Sequence, residues 1–318
     1  AMSQYVKMKA RVPEQLGHDR LDHIAVNLFP DFSRSRLQHW IQAGALTVDG
    51  QARRAKDKLL GGELLEIDAP LEALDSHVPQ QMELDIEFED EDILVVCKPA
   101  GLVTHPAAGN YDNTLLNGLL FHCEELQHIP RAGIVHRLDK GTSGLMVVAK
   151  TLQSQNKLVD LLQKREITRQ YQAIVYGVVS RRGSIDQPIG RHPSHRTKMA
   201  VREDGKPART HYRVLSRFAE HTHLSITLES GRTHQIRVHL SHVRFPLVGD
   251  PLYGGTFRLP RSGSEQLQEE LRDFERPALH AFALQLHHPT TGALMRWERH
   301  VPSDLARLLE LLAENDTG

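Results

Sequence analysis

His136-Arg137-Leu138-Asp139-Lys140-Gly141-Thr142-Ser143-Gly144-Leu145 places one carboxylate between two cations and two glycines, directly ahead of an apolar strand over 145–149. Gly141 and Gly144 let the backbone turn sharply and come close to a ligand. Arg137 and Lys140 favour the ionised form of Asp139 and can also meet a polyanion. A surface turn with an ordinary ion pair would use the same residue types, so the flanking sequence has to decide what this carboxylate does.

Outward from this stretch, strand signals recur at 93–97, 145–149, 171–175, 211–215, 224–228, 279–286 and 295–297. Helical periodicity appears at only a few places, 114–121, 154–164, 234–241 and 304–312. Strands in this order lack the strand–helix–strand alternation of a parallel α/β sheet. They predict an α+β domain over 83–312, built on a mixed, largely antiparallel sheet with a few covering helices.

Residues 16–75 read as a separate small α/β module. Leu21, Ile24, Ala25 and Leu28 recur at helical spacing until Pro30-Asp31 breaks the run. A second helix starts at the N-cap Ser33, runs through Leu37, Trp40 and Ile41, and stops at Gly44. Asp49-Gly50 marks a tight turn after a short strand at 46–48. Arg34, Arg36 and His39 are read on the polar side of the second helix, where cations suit RNA backbone contact. Residues 69–82, with Pro70 and Pro79, read as a linker, and the acidic run 83–92 as a solubilising edge.

A chain of 318 residues with 40% hydrophobic content can bury a large core and divides most naturally into two domains. No window approaches 18 uninterrupted apolar residues and the N-terminus lacks a secretory h-region, so a cytoplasmic protein without membrane attachment is expected. Cys97 and Cys123 have no metal-ligand or disulfide spacing. The net charge of −1 conceals segregation. Segment 71–92 holds 9 acidic and no basic residues, whereas 93–260 holds 23 basic and 12 acidic. A basic centre in a neutral chain points to a polyanionic substrate.

Three further motifs accompany the Asp139 stretch. Lys98-Pro99-Ala100-Gly101-Leu102-Val103-Thr104-His105-Pro106 follows a strand, and His105 could reach a ligand. Arg169-Gln170-Tyr171 opens another strand, and Gly231-Arg232-Thr233-His234-Gln235-Ile236-Arg237 turns from strand into helix. In order, spacing and flanks these four segments resemble the RluA-type pseudouridine synthases across 83–312. The run Ser33-Arg34-Ser35-Arg36-Leu37 with Ile41, Gly44, Val48 and Gly50 resembles the S4 RNA-binding domain.

The resemblance implies a pseudouridine synthase fold and isomerisation of uridine in RNA, with no cofactor and no metal. The flanks 131–140, 165–171, 191–201 and 246–255 look most like members acting on bacterial 23S ribosomal RNA, in the helix 69 stem-loop or at other large-subunit uridines. The implied partner is therefore that RNA, free or in an assembling large subunit, and the implied protein is a monomer. By resemblance, Asp139 is the reacting carboxylate, Arg237 pairs with it, and Tyr171 packs on the uracil and helps remove the C5 proton, with Leu279 on the other side of the base. Arg137 would bridge the gap left by a flipped base. His105, Arg34 and Arg36 are further candidate RNA contacts. Gln170 stands where the family leads one to expect an acid.

Two rival readings use the same residues. His234, His239 and His242 are the tightest histidine cluster, but the spacing departs from the i, i+4 pair with a nearby acid that helical zinc sites use. A non-catalytic RNA-binding or ribosome-assembly factor would use the basic centre equally well, yet has no need of a carboxylate that repels phosphate.

Overall fold

The computed structural model describes residues 5–70, 77–107 and 109–316. The N-terminal part is a three-stranded sheet of β1 (Tyr5–Arg11), β2 (Leu46–Val48) and β3 (Leu64–Pro70), in the order β1-β3-β2, with two helices packed on it. These are α1 (Leu21–Leu28) and α2 (Arg34–Ala43). The Ser33 side chain accepts from Arg36 N at the start of α2, and Gly44 ends it at φ 78°, a conformation that side chains strain to adopt. Leu21, Ile24, Leu37, Trp40, Ile41 and Ile67 share one core.

This sheet begins earlier than residue 16, because β1 pairs along its whole length with β3. Most of β1 is exposed, so it lacks the alternation by which a strand announces itself in sequence. The strand β3 also extends into the expected linker, as far as Pro70. The rest of that linker lies partly outside the described residues, 71–76 among them.

The larger part opens with β4 (Ile86–Glu89) and β5 (Ile93–Lys98), then α3 (Leu115–His122), β6 (Ser143–Ala149), α4 (Leu152–Gln163) and β7 (Thr168–Tyr176). Short strands β8 (Gly183–Asp186), β9 (Ile189–Arg191) and β10 (Met199–Val201) follow, then β11 (Arg209–Arg217) and β12 (His221–Leu228). The chain closes through α5 (Gln235–His242), α6 (Glu265–Asp273), β13 (Leu279–His287), β14 (Leu294–Glu298) and α7 (Ser303–Glu314). Nine of these strands form one sheet, ordered β4-β5-β6-β13-β7-β12-β11-β8, with β14 also paired to β13. The mixed, largely antiparallel sheet and its few helices are those expected from the sequence.

Strand β6 is buried along its full length, and its alternate residues enter two different cores. Met146 and Val148 face α3 and the interior of β7 and β12, whereas Leu145, Val147 and Ala149 face α4. Strands buried on both faces read as continuous apolar runs, as this one does.

One junction of the sheet is unlike the rest. β6 and β13 run parallel and share only two residue pairs, His280 with Ser143 and Ala281 with Gly144. A Cβ on Gly144 would lie 2.3 Å from the Ala281 carbonyl oxygen, and its φ is 133°, so both space and backbone require glycine. The two halves of the sheet meet here, directly after the Asp139 loop and at the first residues of β13.

Candidate active site

Asp139 is held by its own backbone before its side chain is considered. The carbonyl of Leu138 accepts from Thr104 Oγ1, that of Asp139 from Thr142 N, that of Lys140 from Gly101 N and Lys98 Nζ, and that of Gly141 from Arg276 Nη1. Four consecutive carbonyls are thus fixed, three of them by distant segments. This is the physical role of the segment beginning Lys98-Pro99: it cradles the loop that presents the carboxylate.

Lys98 is fully buried and its ammonium also donates to Pro99 O and Leu102 O, at 2.9 and 2.8 Å. Burial pulls it down to about 7, with Asp139 opposing the shift. Arg276 joins the loop to Asp304 at the start of α7 and to the Leu279 carbonyl.

The turn into α5 supplies the partner of Asp139. Gln235 locks it by accepting from Ser230 Oγ and Arg232 N and donating to Arg209 O and Thr210 Oγ1. His234, at φ 56°, caps the helix in the left-handed conformation. His234 and Arg237, three residues apart, fall on one helix face. Arg237 Nη1 donates to Asp139 Oδ2 at 3.0 Å, and His234 Nε2 lies 3.9 Å from Asp139 Oδ1.

The other edge of the Arg237 guanidinium is clamped by Asp250, with Nε and Nη2 each 2.8 Å from a carboxylate oxygen. Asp250 Oδ1 accepts in addition from Leu252 N and Tyr253 N. Burial disfavours the guanidinium charge, but the two carboxylates outweigh that and push Arg237 up. Arg237 stays charged, and Asp139 keeps a fixed cation on one oxygen.

Two cavities meet at this carboxylate. The larger, about 900 Å³, is lined by Leu116, Leu120, Leu126 and Ile129 on its apolar side and by Arg131 and Arg276 elsewhere. The smaller, about 540 Å³, is lined by Tyr171, Leu279, Arg169 and Ile236. Asp139, Arg137, Arg237, His105 and His234 line both.

Tyr171 and Leu279 come from the neighbouring strands β7 and β13. Leu279 pairs with Ala173 and Ala281 with Tyr171, so the two side chains are diagonal neighbours on one face. Both are buried. Burial pushes the Tyr171 phenol up, so its hydroxyl remains protonated. Arg137 is exposed and touches Thr233 Oγ1 at 3.3 Å. Burial holds His105 at about 4, with Arg131 and Arg137 reinforcing the shift, so its ring is neutral.

The sequence expectation thus gathers Asp139, Arg237, Tyr171, Leu279, Arg137 and His105 at one place. Arg34 lies in the N-terminal module, 56% exposed and 3.6 Å from Asp22. Arg36 is a correction: it is only 2% exposed, packed over the Trp40 ring. A two-residue step along a helix turns roughly 200°, so an outward Arg34 puts Arg36 on the side of Leu37, Trp40 and Ile41. It cannot serve as a phosphate contact.

Gln170 accepts from Arg296 Nη2 at 2.9 Å, so an amide fills the acceptor place expected of an acid. The three histidines of the zinc reading do not converge. His239 is buried, with its ring nitrogens bonded to Thr210 Oγ1 and the Gln187 carbonyl. Among the described residues the one metal-like group is Asp90, Asp92 and His288. There the Nδ1 of His288 accepts from Thr290 N and Thr291 N, which leaves its proton on Nε2 facing Asp90. That ring offers a metal no lone pair.

Sequence reasoning did not assign Asp250, Tyr253, Lys98 or Arg276. Asp250 carried a signal: it is the first acid after the basic helix α5, in a run of Gly, Asp and Pro that must turn.

A model of the RNA pseudouridylate synthase family matches residues 92–242. Ribosomal large subunit pseudouridine synthase D of Pseudomonas aeruginosa is 55% identical over 99% of this chain and 98% of its own length. The protein of the same name from Yersinia pestis is 52% identical over 98% of this chain and 96% of its own. Among solved structures, human RNA pseudouridylate synthase domain containing 4 is 25% identical and covers 72% of this chain and 93% of its own, with a TM-score of 0.57. The chain belongs to the RluA-type family of RNA pseudouridine synthases, enzymes that isomerise uridine in RNA.

Proposed function

We propose that this enzyme converts uridine to pseudouridine in bacterial 23S ribosomal RNA, in the helix 69 stem-loop, acting in the cytoplasm as a monomer. The full-length likeness to large-subunit synthases supports the substrate class, and no described helix is long and apolar enough to cross a membrane. The reaction breaks the bond from N1 to C1′, turns the uracil, joins C5 to C1′, and loses the C5 proton while N1 takes one up. Asp139 is the reacting group. The observation that carries this assignment is its setting: one oxygen fixed by Arg237, the other open where the two cavities meet.

An anion so placed can attack C1′ or take the C2′ proton, both of which suit an electron-poor sugar carbon. Deuterium at C2′ separates the two, because only proton removal gives a primary isotope effect. The smaller cavity receives the uracil, between Tyr171 and Leu279. Tyr171, its phenol held protonated by burial, presents a packing surface to the base there.

A uridine inside folded RNA reaches Asp139 only by leaving its stack, and exposed Arg137 occupies the place it vacates. The N-terminal residues form an S4-like RNA-binding module over 16–75, extended by β1, with Arg34 on its outer face. Pseudouridine mapping of ribosomal RNA from cells with and without the protein tests the whole reading. Loss confined to helix 69 uridines supports it, and an unchanged 23S pattern overturns it.

A further inference from the structure

Tyr253 stands behind His234 as His234 stands behind Asp139. The backbone N–H of Met199, the first residue of β10, donates to Tyr253 Oη at 2.8 Å. Tyr253 Oη lies 2.6 Å from His234 Nδ1. With Met199 already donating, the hydroxyl proton has one acceptor in reach among the described residues, Nδ1. A phenol is also a better donor than a neutral imidazole N–H, so the proton of this pair sits on the tyrosine side. The ring must then carry its own proton on Nε2.

The far end of the ring agrees. His234 Nε2 faces Asp139 Oδ1 at 3.9 Å, where a lone pair would be repelled by the carboxylate and an N–H is attracted. The ring is held from turning by the Tyr253 hydroxyl on Nδ1 and by the Tyr253 ring packed edge-on against it. Burial holds the imidazolium form down, with Asp139 opposing, Arg237 and Arg137 assisting and Asp250 opposing. These, with Tyr253, are the ionisable groups that face the ring from α5 and from the two loops packed against it.

We infer that His234 is a positioning residue for the isomerisation: Tyr253 fixes it as the neutral Nε2–H tautomer, and that N–H orients the open oxygen of Asp139. Arg237 and His234 then define the plane of the carboxylate between them, each from its own oxygen. At 3.9 Å the His234 contact is longer than a hydrogen bond, so the N–H acts on Oδ1 as a directed dipole and leaves that oxygen available to the sugar. Tyr253 serves both arms, since its ring also lies 5.0 Å from the Arg237 guanidinium.

The inference rests on Asp139 being the reacting carboxylate, as proposed above. The test compares full-length His234→Ala, His234→Gln and Tyr253→Phe in single-turnover tritium release from a C5-tritiated 23S transcript, with RNA affinity measured alongside. Ala and Gln carry the same backbone strain at φ 56°, and Gln places an amide N–H near the position of ring Nε2. The maximal rate should fall about tenfold or more in His234→Ala and recover at least threefold in His234→Gln. Tyr253→Phe should fall threefold to tenfold, with RNA affinity within twofold of wild type throughout.

Nitrogen-15 spectra of histidine-labelled protein read the tautomer directly, with the His234 signals assigned from their loss in His234→Gln. A protonated Nε2 and an unprotonated Nδ1 are expected in wild type, changing in Tyr253→Phe. A wild-type maximal rate in His234→Ala, equal rates for Ala and Gln, or a proton on Nδ1 would each overturn the inference. Turnover by Asp139→Asn would instead overturn the reading of Asp139 and leave the tautomer to stand or fall by its own spectrum.

Discussion

Asp22 in the N-terminal module and Asp139 in the catalytic cleft are both carboxylates met by arginine, and they are satisfied to different degrees. The Asp22 side chain is fully buried and accepts from Arg20 Nε and Nη2, His23 N and Gln38 Nε2, with Arg34 at 3.6 Å. Asp250 is filled in the same way, by two guanidinium and two backbone donors. Among the described residues the Asp139 side chain receives one hydrogen bond, from Arg237, and it is 19% exposed. The structural carboxylates use their lone pairs, whereas the one proposed to react is fixed by few contacts and keeps an oxygen free. In this site rigidity comes from the backbone carbonyls of 138–141 and from Asp250, one step behind.

The largest effect should follow from Asp139→Asn. The amide keeps the shape and the backbone contacts, so thermal stability should change little while isomerisation is lost. RNA affinity should hold or rise because a charge that repels phosphate is gone. Tritium release and a binding titration on one preparation check both halves. Substantial turnover would erase the distinction between Asp139 and the saturated carboxylates.

Arg237→Met comes next, and it strikes both kinds of carboxylate at once. Asp139 loses its orienting partner, so the maximal rate should fall by about 10²-fold or more. Asp250 is left buried with only its backbone donors, which should cost about 3–5 kcal/mol of stability. Chemical denaturation alongside kinetics separates the two losses. Arg237→Lys should rescue neither fully, since one ammonium cannot bridge two carboxylates through three nitrogens.

Asp22→Asn is the reciprocal experiment. It should leave the rate per folded molecule unchanged while lowering stability by about 1–3 kcal/mol, because an amide cannot accept from donors on both sides. A rate defect with normal stability would show that the module shapes the active site.

These contrasts bear on how much was legible in the sequence. Strands and helices of the catalytic domain were readable because their apolar runs are long and the faces they bury are continuous, β6 above all. β8, β9 and β10 were missed because three or four residues show no period and, unlike the equally short β2, none is followed directly by an Asp-Gly turn. α6 was missed although it is amphipathic, since it buries only Leu267 and Leu271 among many charges. In the site, Asp139 and Arg237 stood out by motif. Asp250 and Tyr253 act through other side chains, and sequence separation hides which acid meets which arginine. Arg36 was misplaced because the arginines of α2 were read as one polar face, whereas the helical period sends Arg34 and Arg36 to opposite sides.

The smallest expected effect concerns the cations themselves. Arg34 is engaged with Asp22 and His23, and Arg53 and Arg54 with Asp57. In the catalytic domain Arg196 is exposed and makes no ion pair among the described residues, in the loop between β9 and β10. A cation already neutralised by a carboxylate releases fewer counterions from RNA than an exposed one. Arg196→Ala should therefore weaken binding a few-fold and flatten the logarithmic salt slope by about one unit. Arg34→Ala should flatten it by roughly half as much or less, since Asp22 stays buried and keeps Arg20. Titrations of both full-length variants over a series of salt concentrations measure this directly. A larger slope change for Arg34 than for Arg196 would mean that RNA displaces Asp22 as the partner of Arg34, and that the module grips its substrate more firmly than its internal ion pairs suggest.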